Sequence, residues 1–326
     1  MIVLSHLKNK TNVDKFSPVM MRQKTISHPV SYRGIGVHSA KNTTLSLFPA
    51  PADTGIVFER VDLAQNNLIK VTVSNVVDTF LSTKIANASG ASVSTIEHLM
   101  AAIAACEIDN LHIEIDGPEV PILDGSSIDF IHLLENARIN EQKALRRVIR
   151  ILKPITVKEE NRFATLEPAE NFSIHCTLDF QGRQGLITET MSFENSSQSF
   201  REEISKARTF GFYEDAQKIF AAGLGLGASL DNTIVIDNGQ IMNPEGLRYS
   251  NEFVRHKILD AFGDLYVIGH PLIGCYRAYN GGHTLNNQLV NALLSDKSAW
   301  RFESLGDSTE WHPAIYSLSN VHSISA

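Results

Sequence analysis

Residues 94–117, STIEHLMAAIAACEIDNLHIEIDG, change period partway along. Their first part spaces apolar residues as a helix does, and LHIEIDG alternates apolar and polar residues as a half-buried strand does. Upstream lie short β-branched runs broken by Gly, Pro and Asn: TISHPVSYRGIGVH (25–38), TTLSLFPA (43–50), GIVFERVDL (55–63) and IKVTVSNVV (69–77). Downstream, DGPEVPILDGSS (116–127) is rich in turn residues, and SSIDFIHLLENA (126–137) reads as a helix entered from a serine cap. The order is therefore strands, a helix, a strand and a second helix.

After a charge-rich connector, NEQKALRRVIR (140–150), that order recurs. RRVIRILKPITVKE, FATLEPA, FSIHCTLDF and ITETMSF are strand-like, and residues 201–237 read as helix–loop–helix followed by an apolar strand. NEFVRHKILDAFGDLYVIG (251–269) is the strongest helix of the chain, and NNQLVNALLSDKSAW (286–300) is the last. The repetition is of order alone, with no residue-level repeat. It predicts an α+β fold of two similar domains that meet near 145–150, each a small sheet with helices on one face.

The chain has 326 residues, 43% apolar and 20% charged, which suits two globular domains. A net charge of −7 argues against nucleic acid as a partner. No apolar run approaches the roughly 20 residues of a bilayer span. Residues 1–20 lack the apolar region of a secretion signal and are expected to be a flexible extension. Cys106, Cys176 and Cys275 are odd in number and far apart, which excludes a disulfide framework and a thiolate zinc site. Any metal would have to be held by His and carboxylate, and the chain has 12 histidines.

Three segments carry residues suited to such chemistry. On the helix 251–266, Val254, Ile258, Ala261, Phe262 and Leu265 form one stripe, with His256, Asp260 and Asp264 opposite at i, i+4, i+8. His and Asp one turn apart meet a single metal ion, or they form an ordinary exposed pair. Ser94 with Glu97 three residues on spells a capping box; Glu97 beside His98 is equally a carboxylate placed to take a proton from water. His283 follows Gly281 and Gly282 on a tight turn, as a loop histidine or as one brought to a substrate. GLGLGA (223–228) mimics a dinucleotide fingerprint but follows a helix, so it reads better as backbone that permits close approach. Together the segments supply three ligands, a base and an acid, and a catalytic zinc site uses three protein ligands and keeps a position for water.

In combination, STIEHLMAA, DGPEVPILDGSS, ISKARTFGF, FVRHKILDAFGDLYVIGHPLIGCYRAY and GGHTLNNQL closely resemble the UDP-3-O-acyl-N-acetylglucosamine deacetylases, zinc amidases of lipid A synthesis in Gram-negative bacteria. The resemblance runs from about Lys24 to about Trp300 in the same order. It implies helices packed between two sheets and an active site at the domain interface. The domains would be 21–147 and 148–305, the second with an acyl-chain insert at about 205–236, and 306–326 a tail. The resemblance places the zinc ligands on His98, His256 and Asp260, with Fe2+ as the other candidate ion. Glu97 takes the place of the general base, His283 that of the acid and oxyanion partner, Asp264 that of the residue orienting it, and Thr209 that of a second oxyanion donor. Lys257, Arg162, Asp179, Phe180, Phe210 and Leu81 fall where substrate is contacted, Phe180 as the aromatic on uracil. Ser82 stands where some members carry a cysteine. The resemblance further implies a cytoplasmic monomer whose partner is the UDP-sugar substrate. The rivals are another zinc amidase acting on a different N-acylated sugar and a non-catalytic scaffold, the latter disfavoured because Glu97 and all three ligands are present.

Overall fold

The computed structural model describes residues 21–180, 182–183 and 185–304, so the expected extension 1–20 and tail 306–326 lie outside the described residues. The first half begins with β1 (Arg22–Ile26), β2 (Val30–Ile35), β3 (Asn42–Pro49), β4 (Ile56–Arg60) and β5 (Leu68–Lys70). Short strands β6 (Val76–Asp78), β7 (Lys84–Ala86) and β8 (Ser92–Val93) come next, then α1 (Glu97–Ala105), β9 (Leu111–Ile115), α2 (Ile128–Asn136) and β10 (Ile139–Leu145). The second half starts with β11 (Arg147–Ile151), β12 (Ile155–Glu159), β13 (Arg162–Glu167), β14 (Phe172–Leu178) and β15 (Glu189–Glu194). A single turn α3 (Ser197–Ser199) and a π-helical turn (Phe200–Ile204) lead to β16 (Phe210–Phe212), α4 (Tyr213–Ala221), β17 (Ile234–Asp237) and β18 (Gln240–Ile241). The chain then forms α5 (Glu252–Tyr266), β19 (Leu272–Tyr279), α6 (His283–Ser295) and β20 (Trp300–Ser304).

The repeated order becomes a repeated topology. In the sheet β2-β3-β9-β4-β5, β9 runs antiparallel to β3 and parallel to β4. In the second sheet, β12-β13-β19-β14-β15 follow the same path, with β19 antiparallel to β13 and parallel to β14. Each half also inserts a three-stranded sheet between its outer strand pair and the helix that leads to its central strand, β6-β7-β8 before α1 in one and β16-β17-β18 before α5 in the other. The alternation read in the sequence decides which face is buried. Leu45 and Leu47 of β3 and Leu111, Ile113 and Ile115 of β9 face the core, while His112 and Glu114 face outward.

The helices fill the space between the sheets. All of α1 except Ala104 is buried, and all of α5 except Arg255 and Lys257. One hydrophobic core therefore joins residues of both halves, and a smaller cluster of Phe180, Ile234, Ile236 and Phe253 lies under the second insert. The run LMAAIAA gives α1 a surface of small side chains, and Gly263 gives α5 none at its crossing point. A Cβ at Gly263 would lie 2.0 Å from the carbonyl oxygen of Glu97 and 3.0 Å from Ala101 N.

Several local expectations are corrected. The 94–98 segment holds no capping box: α1 begins at Glu97, the Ser94 hydroxyl donates to Pro118 O, and the Glu97 carboxylate accepts from Thr83 N. Ser127 precedes α2 without capping it, because its hydroxyl donates to His98 O. The connector 140–150 is not a linker but strands β10 and β11, β10 pairing with β1. Residues 201–237 form a π turn, a strand, a helix and a strand, because β16 pairs in parallel with β17 and so draws Phe210–Phe212 into a sheet. The last helix starts at His283 and ends at Ser295.

Gly263→Ala is expected to lower unfolding stability by about 3 kcal/mol, since overpacking at a backbone contact has no flexible side chain to yield. Denaturant titration beside Gly211→Ala, where a Cβ meets nothing within 4 Å, checks this. An unchanged midpoint for Gly263→Ala would contradict the close crossing.

Candidate active site

The crossing of α1 and α5 brings together side chains 158 positions or more apart in sequence. His98 and Glu97 sit in the first turn of α1, and His256, Asp260 and Asp264 line one face of α5. His256 Nε2 lies 3.2 Å and His98 Nε2 3.4 Å from the same oxygen, Asp260 Oδ1. The stripe read as either ligands or an exposed pair is thus buried, His256 to 1% exposure. His256 Nδ1 donates to Ala207 O at 3.0 Å, which leaves the Nε2 lone pair directed at the cluster. Burial lowers the His256 pKa and keeps the ring neutral. Burial works against the charge on Asp260, but His256 and Lys257 hold its pKa well below the usual carboxylate range. Lys257 Nζ donates to Asp260 Oδ2 at 2.8 Å, while the buried Oδ1 has no hydrogen-bond donor among the described residues.

That orphaned oxygen tests whether the residues fit a metal. A buried carboxylate oxygen without a donor is costly. Here it faces two imidazole nitrogens, and the three potential ligand atoms lie within 4.8 Å of one another. Two imidazoles and a carboxylate with an open side are the donor set of a catalytic divalent cation. The residues fit.

Next to the ligands stand two groups able to move protons. Glu97 Oε2 accepts from Thr83 N at 3.0 Å, and burial raises the Glu97 pKa to about 7 despite the pull of His283. His283, the first residue of α6, donates from Nδ1 to Asp264 Oδ2 at 2.7 Å and turns Nε2 toward Glu97 Oε1 at 3.9 Å. Burial opposes the His283 charge, but Asp264 outweighs it and lifts the pKa to about 10. A base near neutrality therefore faces a cationic acid.

These groups close one end of a cavity of about 640 Å³, a size typical of ligand pockets. Leu81, Arg162, Thr209, Phe210 and Lys257 line it with the ligands, so the structure gathers these expected site residues in one place. Lys257 Nζ stands 5.4 Å from the centre of the Phe210 ring. Asp179 and Phe180 are outside the lining: Phe180 packs edge-on to Phe210, Phe212 and Phe253, and Asp179 accepts from the Tyr279 hydroxyl. Phe210, against which Phe180 packs, lines the cavity in its place. Beyond it the walls are apolar, with Phe212, Ala216, Ile219, Leu230, Val235 and Met242 from the second insert. That insert extends past the expected 205–236 to Ile241, since β18 belongs to its sheet.

Some contributors were not foreseen. His38 lines the cavity, its backbone N donating to Glu119 Oε1 at 2.8 Å and its Nδ1 accepting from Gly225 N at 3.3 Å. The GLGLGA segment is stitched to the same loop, Gly227 N donating to Val37 O at 3.0 Å, with no room for a Cβ beside Gly36 O. Arg208 and Glu252, both buried, pair at 2.9 Å and fix residues 205–209 on the start of α5, where Ala207 O meets His256. No periodicity marks these residues; Arg208 stands one position before Thr209 and Glu252 four before His256, which was their only signal, and His38 had none. Among the described residues no helix is long and apolar enough to cross a membrane.

A family model described as UDP-3-O-acyl N-acetylglycosamine deacetylase matches residues 23–295. Proteins named UDP-3-O-acyl-N-acetylglucosamine deacetylase are similar over most of the chain. The one from Neisseria meningitidis serogroup C is 42% identical over 302 residues, 92% of this chain and 98% of its own length. That of Acidithiobacillus ferrooxidans is 46% identical over 286 residues, 87% of this chain and 93% of its own. That of Shewanella frigidimarina is 44% identical over 286 residues, 87% of this chain and 94% of its own.

Replacing His256 or Asp260 by Ala is expected to weaken divalent-cation binding more than about 100-fold, since even outer partners of ligands are worth 10–100-fold. Metal content after dialysis measures it. Stoichiometric metal retained by either variant would remove these residues from the ligand set.

Proposed function

The chain belongs to the UDP-3-O-acyl N-acetylglycosamine deacetylase family, and on that premise we propose how its residues do the family's chemistry. It is a hydrolytic deacetylase of lipid A biosynthesis, converting the 2-acetamido group of UDP-3-O-acyl-N-acetylglucosamine into a free amine and acetate. The observation that carries the residue assignment is the convergence of His98 Nε2, His256 Nε2 and Asp260 Oδ1 beside Glu97 and His283 at one end of an apolar cavity.

His98, His256 and Asp260 would hold the ion, which we take to be Zn2+; the same donor set accommodates Fe2+. When bound, the ion supplies Lewis-acid polarisation of an amide carbonyl and lowers the pKa of water. Glu97 takes the proton from the attacking water, for which a base near neutrality is suited. His283 gives a proton to the departing amine, without which an amide nitrogen leaves poorly, and its positive charge stabilises the tetrahedral oxyanion. The hydroxyl of Thr209, on the cavity wall, donates to the same oxyanion. Lys257 is oriented by Asp260 and contacts the substrate beside Phe210. Arg162 and Leu81, which line the cavity, serve the nucleotide side, with Phe180 packed behind Phe210 and Asp179 held by the Tyr279 hydroxyl. The apolar walls of the second insert take the 3-O-acyl chain, where burial contributes about 0.8 kcal/mol per methylene. Two domains, 21–147 and 148–305, would each bring part of the site. Three free, buried cysteines and a nucleotide-sugar substrate suit a cytoplasmic location in a Gram-negative cell.

Activity on the UDP-linked substrate against plain N-acetylglucosamine tests the reading; equal rates on both would sink it. Its pH dependence follows from the two shifts. Activity requires ionised Glu97, so it falls as pH drops through about 7, and it requires protonated His283, so it falls as pH rises through about 10. Asp264→Asn removes the group that raises His283, so the basic limb should move to lower pH, with a rate loss of about 10²–10⁴. A basic limb that stays put in this variant would take the acid role from His283.

A further inference from the structure

Asp264, buried to 3% exposure, is served by three residues from two segments at once. The Thr83 hydroxyl donates to Oδ1 at 2.6 Å, and His283 Nδ1 and Asn286 Nδ2 donate to Oδ2 at 2.7 and 2.8 Å. Asn286, 1% exposed, is fixed in orientation because its Oδ1 accepts from the Tyr276 hydroxyl at 2.5 Å. An amide oxygen only accepts, so a flipped amide would set its oxygen against the Asp264 carboxylate and lose that bond. Tyr276 is itself buried, which raises its hydroxyl pKa well above the ordinary value and keeps it a donor. Tyr276 through Asn286 from one side, and His283 from the other, thus donate towards Asp264, with every donor assigned.

We propose that Asn286, set in place by Tyr276, is a positioning residue that holds the Asp264 carboxylate aimed at Nδ1 of His283, with Thr83 doing the same from the other oxygen. This rests on the role proposed above for His283. A carboxylate taken out of water must recover its hydrogen bonds from protein donors, and two or three such donors favour its charged form. Without Asn286, Oδ2 keeps a single donor, and the carboxylate is free to tilt away from the ring. The imidazolium then loses the fixed hydrogen bond that orients it and the close counter-charge that favours its cationic form. His283 is faced by Glu97 from α1, by Asp264 and Asp260 from α5, and by His38 from the loop after β2. Of these, Asp264 is the one hydrogen-bonded to the ring. Thr83 also donates its backbone N to Glu97 Oε2 at 3.0 Å, so one residue braces the base and the support of the acid. A purely structural role is ill suited to Asn286, because Leu285, Leu289, Val290 and Leu293 already anchor α6 in the core.

The test uses the metal-loaded full chain and the variants Asn286→Ala, Tyr276→Phe and Thr83→Val. The His283 ring is titrated by NMR, assigned against His283→Gln, alongside kcat and KM across pH. In Asn286→Ala the kcat should fall about 10- to 100-fold, the worth of one hydrogen bond to a charged group, with KM within about twofold. Both the basic limb and the His283 titration should move to lower pH, and Thr83→Val and Tyr276→Phe should move them the same way by less. A folded Asn286→Ala whose His283 titrates as in the wild type overturns the proposal. Should Asn286→Ala fail to fold, an unmoved His283 in Tyr276→Phe and Thr83→Val overturns it equally. An inactive wild type would refute the deacetylase reading alone, since the NMR titration decides the positioning role without substrate.

Discussion

The backbone contact between Gly263 on α5 and Glu97 on α1 sets the spacing on which the rest of the molecule depends. Two helices carrying ordinary side chains at their contact lie 8–10 Å apart. At a glycine the backbones can approach further, and here the approach falls at the start of α1, where Glu97 and His98 stand. The residues that chemistry requires are consequently placed by main chain against main chain, which does not hop between rotamers as a side chain does. Each half brings its own sheet to press a helix inward, and the site forms where the two pressures meet.

Such a placement confronts the core with charge. Glu97, Asp260 and Asp264 bring three carboxyl groups into a region almost without water, against the two cations Lys257 and His283. Most of the resulting cost is offset by mutual satisfaction, each carboxyl taking donors from its neighbours. The exception is Asp260 Oδ1, left facing two imidazoles. A half-satisfied polar network is the weakest arrangement a core can hold. The apo cluster therefore stores a preference for a small cation, while the same burial poises Glu97 near neutrality.

The order of elements was legible because alternation and helical spacing survive on one-sided sheets and amphipathic helices. It failed where polar function replaced pattern. Glu97 looked like a cap partner because S-x-x-E fits the capping motif, yet Thr83, fourteen residues before it, claims its carboxylate. The segment 140–150 looked like a connector because the charges at its start belong to β10, a mostly exposed strand that pairs with β1 alone. The ligands could be read on α5 through their i, i+4 spacing, but not their burial, since a polar stripe on a helix faces solvent in most folds. Asn286, Thr83 and His38 were unreadable: one asparagine, one threonine and one histidine carry no period, and their importance arises only when separate elements meet.

In both five-strand paths the strand that arrives last of the five lies in the middle. β9 enters between β3 and β4, and β19 between β13 and β14. During synthesis the earlier strands of each sheet must wait as two separate hairpins, β2-β3 with β4-β5 and then β12-β13 with β14-β15, holding open a slot. The second slot waits longest, because the whole insert and α5 come before β19. Closing it forms long-range parallel pairing, a slow class of folding event. The nascent chain thus exposes two facing, unpaired strand edges until most of it has been made, so the arrival of β19 is the moment when its most aggregation-prone edges disappear.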